Sequence, residues 1–246
     1  MITASDDAGV RTVTMDRPAT KNALDRDGFS GLDQQLRAAA EDRSVRVVIW
    51  TGAGGHFTSG NDLRELDAID PATLSSHPFH ALVETITTFP KPLVAAVEGV
   101  AVGAGVTLLA HADFVIASRT ARFRAPFSHL GVPAEGGSSA LLPLVVGPRM
   151  AARMLLLADW ITGDEAAACG FASVVDEGAA LDEARALARR LADLSPDAVS
   201  ATKRLLVAAR QEAVAGAAMR ERLIGLPLYR DLAQREAVTT ITARTR

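Results

Sequence analysis

Leu93-Val94-Ala95-Ala96-Val97-Glu98-Gly99-Val100-Ala101-Val102-Gly103-Ala104-Gly105-Val106-Thr107-Leu108 runs a strand, a glycine-rich turn and a helix start together. Leu93–Val97 is apolar throughout and follows Pro90 and Pro92, so it reads as a buried strand. Gly99, Gly103 and Gly105 free the backbone for conformations closed to other residues and allow close approach. Val106 to Ala110 looks helical. The first N–H groups of a helix are unpaired and lie at the positive end of its dipole, where they can bind an oxyanion. The same glycines would equally serve tight strand–helix packing with no ligand, and spacing does not separate the two. As a membrane span, Leu93–Ala110 is broken by Glu98 and the three glycines.

Outward from this stretch, strands and helices alternate. Val10–Met15 alternates apolar and polar residues, the pattern of a strand. Pro18 and Asn22 mark a loop. Asp25 opens a helix in which Phe29, Leu32, Leu36 and Ala39 recur every three or four positions. Val45–Trp50 reads as a buried strand ended by Gly52, Gly54 and Gly55, and Asp113–Ala117 as another. This alternation predicts an α/β fold with parallel pairing. From about Gly147 the character turns helical. Thr162-x-x-Glu165 has capping-box spacing, Leu181–Leu194 has helical period, and Ser195-Pro196 opens a further helix. The expected division is a core over 1–193 and a helical region over 194–246. No internal repeat or low-complexity linker is visible.

At 246 residues the chain is long enough for one large domain with a helical appendage. Aromatics are only 4%, so Ala, Val and Leu must build the core, which suits helices lying close on sheets. A net charge of -3 gives no sign of a nucleic-acid partner. The single cysteine, Cys169, permits no internal disulfide, and no Cys/His spacing suggests a metal site. Met1–Asp7 lacks the basic and apolar runs of a signal peptide, and a cytoplasmic location is the default.

A second glycine-bearing segment, His56-Phe57-Thr58-Ser59-Gly60-Asn61-Asp62-Leu63, also follows a predicted strand. Neither segment is a phosphate loop, a G-x-G-x-x-G or a G-x-S-x-G elbow. Ser128-His129 are neighbours in sequence, which does not make a triad. Asp62 reads as a turn or cap residue. His56, His77 and His80 are possible pocket residues, although Asp67–Pro78 reads better as a solvated lid, and Glu84 as a structural residue on a helix. Glu135 alone reads as an exposed residue at a helix start.

Met15-Asp16-Arg17-Pro18-x-x-Lys21-Asn22-Ala23-Leu24 resembles the opening motif of the enoyl-CoA hydratase/isomerase (crotonase) family. Phe57-x-Ser59-Gly60-Asn61-Asp62-Leu63 and Pro92 to Gly105 resemble its two oxyanion loops. Asp113 to Ser118, Ala121-Arg122-Phe123 and Gly163-Asp164-Glu165-Ala166-x-x-x-Gly170-Phe171-Ala172 continue the match in the family's order. The resemblance implies a spiral of β-β-α turns with a C-terminal helical trimerisation region, assembled as a homotrimer or hexamer. It implies an acyl-CoA thioester as substrate, with no resident cofactor because coenzyme A arrives as part of that substrate. It assigns the thioester oxyanion to the N–H groups of Asn61 and Ala104, flanked by Gly103 and Gly105. Lys21, Ala23, Ser59, Leu63 and Arg64 match positions around the CoA moiety, although Lys21 and Arg64 are equally ordinary surface charges.

Hydratases of this family use two glutamates, and here those positions are Thr107 and Phe127. Neither serves as an acid or base near neutral pH. The run from Phe123 to Ser139 resembles instead the peroxisomal-type delta(3)-delta(2)-enoyl-CoA isomerases, whose single catalytic base matches Glu135. The implied reaction moves a double bond from C3 to C2 of an enoyl thioester. Another crotonase reaction, such as hydration or thioester cleavage, and a non-catalytic acyl-CoA-binding protein are the alternatives.

Overall fold

Ala8 and Gly9, both at positive φ (47° and 82°), form the two-residue turn that folds β1 (Ile2–Asp7) antiparallel onto β2 (Val10–Met15). β1 carries no apolar alternation and lies exposed at the sheet edge, which is why sequence pattern does not announce it. The computed structural model describes residues 1–62, 64 and 76–233, and of 230, 231 and 233 the backbone only.

α1 (Arg26–Glu41) starts where Asp25 Oδ1 accepts the Gly28 N–H at 2.8 Å, and it buries Phe29, Leu32, Leu36 and Ala39. β3 (Val47–Gly52) begins two residues later than its β-branched run, because Val47 is the residue that pairs with Val10. α2 (Pro78–Thr87), β4 (Leu93–Val97), β5 (Val100–Val102) and α3 (Ala104–Leu109) follow. Next come β6 (Phe114–Ser118), β7 (Arg122–Arg124), α4 (Phe127–Leu130) and α5 (Ser138–Val146). α6 (Pro148–Ala152) continues into a π-helical turn, Arg153–Leu157. β8 (Ile161–Thr162), α7 (Gly163–Ala168), β9 (Ser173–Val175), α8 (Ala180–Ala192) and α9 (Pro196–Ala233) complete the described chain. The Thr162–Glu165 capping box forms as its spacing predicts. β8 and β9 interrupt a region that reads as helical, since strands of two or three residues leave no periodic signal.

Among the described residues the main sheet has the order β1-β2-β3-β4-β6-β9, parallel except for the β1–β2 pair. β5, β7 and β8 form a smaller sheet. The repeat is therefore structural: a main-sheet strand, a short second strand, then a helix, as in β4-β5-α3 and β6-β7-α4. β3 and β4 are apolar on both faces because both faces are covered. On one face Val47, Ile49, Val94 and Ala96 meet Ala180, Ala184, Ala188 and Ala192 of α8. Alanine at every fourth position lets that helix lie close on the sheet. On the other face Val48, Trp50, Leu93 and Ala95 join α1 and α2 in the main core. Among the described residues no helix is long and apolar enough to cross a membrane.

α9 is tied to the sheet by a buried ion pair. Lys203 Nζ lies 2.7 Å from both oxygens of Asp113, whose Oδ2 also accepts the Leu93 N–H at 2.8 Å. Lys203 is only 4% exposed. Removing one member of such a pair leaves the other charge uncompensated. Lys203→Ala is expected to destabilise the fold by about 3 kcal/mol, read as a lowered midpoint in urea unfolding; an unchanged midpoint would contradict this anchoring.

Candidate active site

Three loop segments lie side by side at one end of the smaller sheet. The Ser59 N–H donates to Lys21 O at 2.8 Å, Leu24 N–H to Gly60 O at 2.8 Å, and Asp62 N–H to Leu24 O at 2.8 Å. On the other side Thr58 N–H donates to Val100 O at 3.1 Å and Val102 N–H to Thr58 O at 3.0 Å. Two glycines permit this approach. A Cβ on Gly60 (φ +83°) would stand 2.5 Å from Val102 O and 3.4 Å from Ala104 N, and one on Gly105 would stand 2.6 Å from Thr58 Cγ2. Asn22, itself at φ 57° and buried, braces the segments: its Oδ1 accepts the Arg17 N–H at 2.9 Å and its Nδ2 donates to Ala53 O and His56 O at 2.8 and 2.7 Å.

Asn61 and Ala104 thus come to neighbouring ends of adjacent loops. Among the described residues, neither of their N–H groups has a hydrogen-bond acceptor. Ala104 opens α3, with Gly103 (φ +55°) at the cap, so its N–H is one of the helix's unpaired donors. The pair is suited to an anionic oxygen.

Glu135 lies in the turn between α4 and α5, and this turn is held at three points. His111, just beyond α3, places Nε2 2.7 Å from Gly136 O. A carbonyl only accepts, so Nε2 carries the proton, and burial lowers the His111 pKa to about 4, keeping the ring neutral. Glu221 of α9 accepts the Gly137 N–H at 2.7 Å and the Ser139 N–H at 2.8 Å, capping α5 from a distant helix. Tyr229 Oη donates to Glu135 Oε2 at 3.0 Å. Glu135 Oε1 is buried with no partner. Burial pushes the Glu135 carboxyl up to about 7; the Tyr229 hydrogen bond opposes this rise and the Glu221 charge adds to it. A cavity of about 350 Å³ between α2 and α9 opens onto this carboxyl. A larger cleft, about 1130 Å³, lies elsewhere, between α9 and the β6 end of the sheet; the Asp113–Lys203 pair lines it, but neither Glu135, Asn61 nor Ala104 does.

The turn also meets α3. A Cβ on Gly136 would stand 3.3 Å from Thr107 Oγ1. Thr107 is fully buried and its hydroxyl donates to Ala104 O at 3.3 Å. Phe127 is buried in the main core. At the mouth, Lys21 is exposed at φ 51°, Ala23 is buried with its carbonyl taken by Arg17 at 3.0 Å, and the Ser59 hydroxyl donates to Thr20 O at 2.9 Å. Arg64 is exposed, but its guanidinium grips Asp62 through Nε at 3.0 Å and Nη2 at 2.8 Å. Those bonds hold the Asp62 carboxyl below its usual range, and Asp62 also accepts the Arg64 N–H, as a turn residue does. His77 caps α2 rather than facing a ligand. Leu63 and 67–75 of the expected lid lie outside the described residues.

A family model described as enoyl-CoA hydratase/isomerase matches residues 5–231. The chain belongs to the enoyl-CoA hydratase/isomerase family. The crystal structure of an enoyl-CoA hydratase/isomerase from Pseudoalteromonas atlantica T6c superposes with a TM-score of 0.92 at 33% identity, covering 99% of this chain and 97% of that one. The fold is therefore the crotonase fold that the motifs lead one to expect. Mouse enoyl-CoA delta isomerase 3, peroxisomal, is 35% identical over 212 residues, 84% of this chain. The chain spans just under two thirds, 66%, of that protein's length. The 2,3-dehydroadipyl-CoA hydratase of Escherichia coli K12 is 36% identical over 215 residues, covering 87% of this chain and 84% of that protein. The family thus offers both isomerases and hydratases as relatives.

Within this family member, three groups around Glu135 escape the sequence motifs: His111, Glu221 and Tyr229. Glu221 and Tyr229 lie more than 80 residues beyond the turn they touch, and no local pattern reports such a contact. The one available signal is that Tyr229 is the only tyrosine of the chain. Gly60→Ala is expected to cost more than about 1 kcal/mol of stability from its positive φ alone and to force the two loops apart. Thermal unfolding together with CoA-thioester binding checks this; wild-type values in both would mean the loops do not need that glycine.

Proposed function

We propose that the chain is an enoyl-CoA isomerase that moves a double bond from C3 to C2 of an acyl-CoA thioester. The observation that carries this reading is the Glu135 carboxyl, which is buried, raised to about 7 and left with one unpartnered oxygen. In the proposed reaction the N–H groups of Asn61 and Ala104 hold the thioester oxygen. Glu135 takes a proton from C2 of the 3-enoyl thioester, and the released electron pair spreads into a dienolate. The same carboxyl then returns the proton at C4, leaving the 2-enoyl product and an ionised Glu135. A raised pKa suits a group that must both take and give a proton near neutral pH. Gly103 and Gly105 shape the second loop. This reading assigns Thr107 and Phe127 to the thioester end and Lys21, Ala23, Ser59, Leu63 and Arg64 to the CoA moiety, as the family motifs imply.

Glu135→Gln is expected to fold and bind CoA thioesters but to lose roughly 10²–10⁴-fold in kcat for 3-enoyl-CoA isomerisation. Undiminished turnover would sink the assignment, and efficient water addition to 2-enoyl-CoA by the wild type would favour hydration instead. The same substitution has a stability signature. Folding favours neutral Glu135, so its contribution is full below the ordinary value of 4.5 and is lost as pH rises through about 7. Glu135→Gln cannot ionise, so its melting temperature is expected to gain on the wild type as pH rises across that window; parallel curves would refute it.

We further propose assembly into a homotrimer or hexamer. Support comes from α9, whose Leu205, Leu206, Met219, Leu223 and Ile224 are exposed apolar residues, and from exposed Leu156 and Leu157. Sedimentation is expected to give three or six times the mass of one chain; a monomer at micromolar concentration would overturn this.

A further inference from the structure

α9 lays one face along the turn that carries Glu135. Val214 meets Gly137, Glu221 caps the Gly137 and Ser139 N–H groups, Gly225 faces Pro133, and Tyr229 reaches Glu135. A Cβ on Gly225 would stand 3.4 Å from Pro133 Cγ and 3.3 Å from Tyr229 Cε2, so this glycine lets both the turn and the ring lie against the helix. Tyr229 is thereby delivered to one carboxyl oxygen and leaves the other without a partner.

We propose that Tyr229 is a positioning residue: by donating to Oε2 of Glu135 it orients the carboxyl group and reserves Oε1 for both proton transfers. The proposal rests on the isomerase reading above. The terminal torsion of a glutamate is broad and nearly two-fold, so an unheld carboxyl presents either oxygen in many orientations. A hydroxyl donor at Oε2 removes that freedom. Burial and the Glu135 charge push the Tyr229 pKa well above its ordinary value, so it stays a donor throughout the working range. In the reaction Oε1 accepts the C2 proton while the C–H pair enters the dienolate. The proton then leaves Oε1 for C4 and the carboxylate is restored, with no co-reactant. Other titratable or charged groups face this carboxyl: Glu221 and Arg222 from α9, His80 and Glu84 from α2, and His111 behind Gly136.

Tyr229→Phe keeps the ring and removes the donor. Losing a donor to the ionised form makes Glu135 harder to ionise. The rising limb of the pH profile of kcat is therefore expected to move upward by about one unit, with kcat reduced below it and KM little changed. A merely structural role would lower activity or melting temperature without moving the limb, and an unmoved limb overturns the proposal. If Glu135→Gln proves fully active, the isomerase reading fails instead, and a second readout is independent of turnover. Labelling the sole tyrosine with 13C at Cζ gives a single resonance. It is expected to titrate near pH 7 in the wild type and to lose that transition in Glu135→Gln, whereas a transition arising from any other group would persist. A flat wild-type resonance would overturn the contact itself.

Discussion

The site depends on how closely two backbone segments can run. Residues 58–61 and 100–104 are joined by backbone hydrogen bonds, and at Gly60 and Gly105 any side chain would strike the facing segment. That constraint converts a packing detail into chemistry. The hydrogen bonds between these two segments stop short of Asn61 and Ala104, so the N–H groups of those two residues emerge unpaired on adjacent loops. The donors are backbone groups held by a sheet and a helix start. Their position is set by the fold and costs no reorganisation when charge develops between them. The small sheet borders this end: β5, β7 and β8 are two or three residues each and bury one side chain apiece, Ala101, Phe123 and Ile161, and β5 pairs with the first loop at Thr58.

The second constraint comes from the far end of the chain. Within the turn that carries Glu135, the Ser138 N–H donates to Glu135 O at 3.3 Å, and further holds come from other elements. His111, Glu221 and Tyr229 supply these from outside. Two of these sit on α9, which is itself anchored by the Lys203–Asp113 pair beside the central strands. Sheet, helix and the Glu135 turn form one mechanical chain. Burying Glu221 and Lys203 is expensive unless each is fully bonded. Glu221 accepts two N–H groups at a helix start, where negative charge is favoured, and Lys203 meets a carboxylate at both oxygens.

Much of this was legible in the sequence, and the reason differs by element. α1 declares itself through Asp25 and the period of Phe29, Leu32, Leu36 and Ala39. β4 has the same limits in sequence and structure, because a strand buried on both faces reads as a continuous apolar run between prolines and a glycine. The two glycine loops were visible as glycines, but residue spacing alone did not tell packing from anion binding. The family motifs are what imply anion binding. β1, β8 and β9 were illegible because they are held by tertiary pairing and carry no apolar alternation. The site was half legible for the same reason: local motifs mark Asn61, Ala104 and Glu135, while Glu221 and Tyr229 act across more than 80 residues of chain.

The choice between moving a proton and adding water turns on how many polar partners surround the carboxyl. An ordered buried water needs two to four partners. In a hydratase the two glutamates supply them. Here one position is Phe127, which has no polar side-chain atom, and the other is Thr107, whose only hydroxyl proton is directed at Ala104 O. Tyr229 occupies Oε2 of Glu135. A water at this site would meet Oε1 of Glu135 but not the paired glutamates of a hydratase. A carbon-bound proton needs no such shell: it requires one base oxygen of matched pKa and an oxyanion hole to take up the charge left behind. On the proposed isomerase reading, the burial that raises the Glu135 pKa is what suits this carboxyl to shuttling a carbon-bound proton.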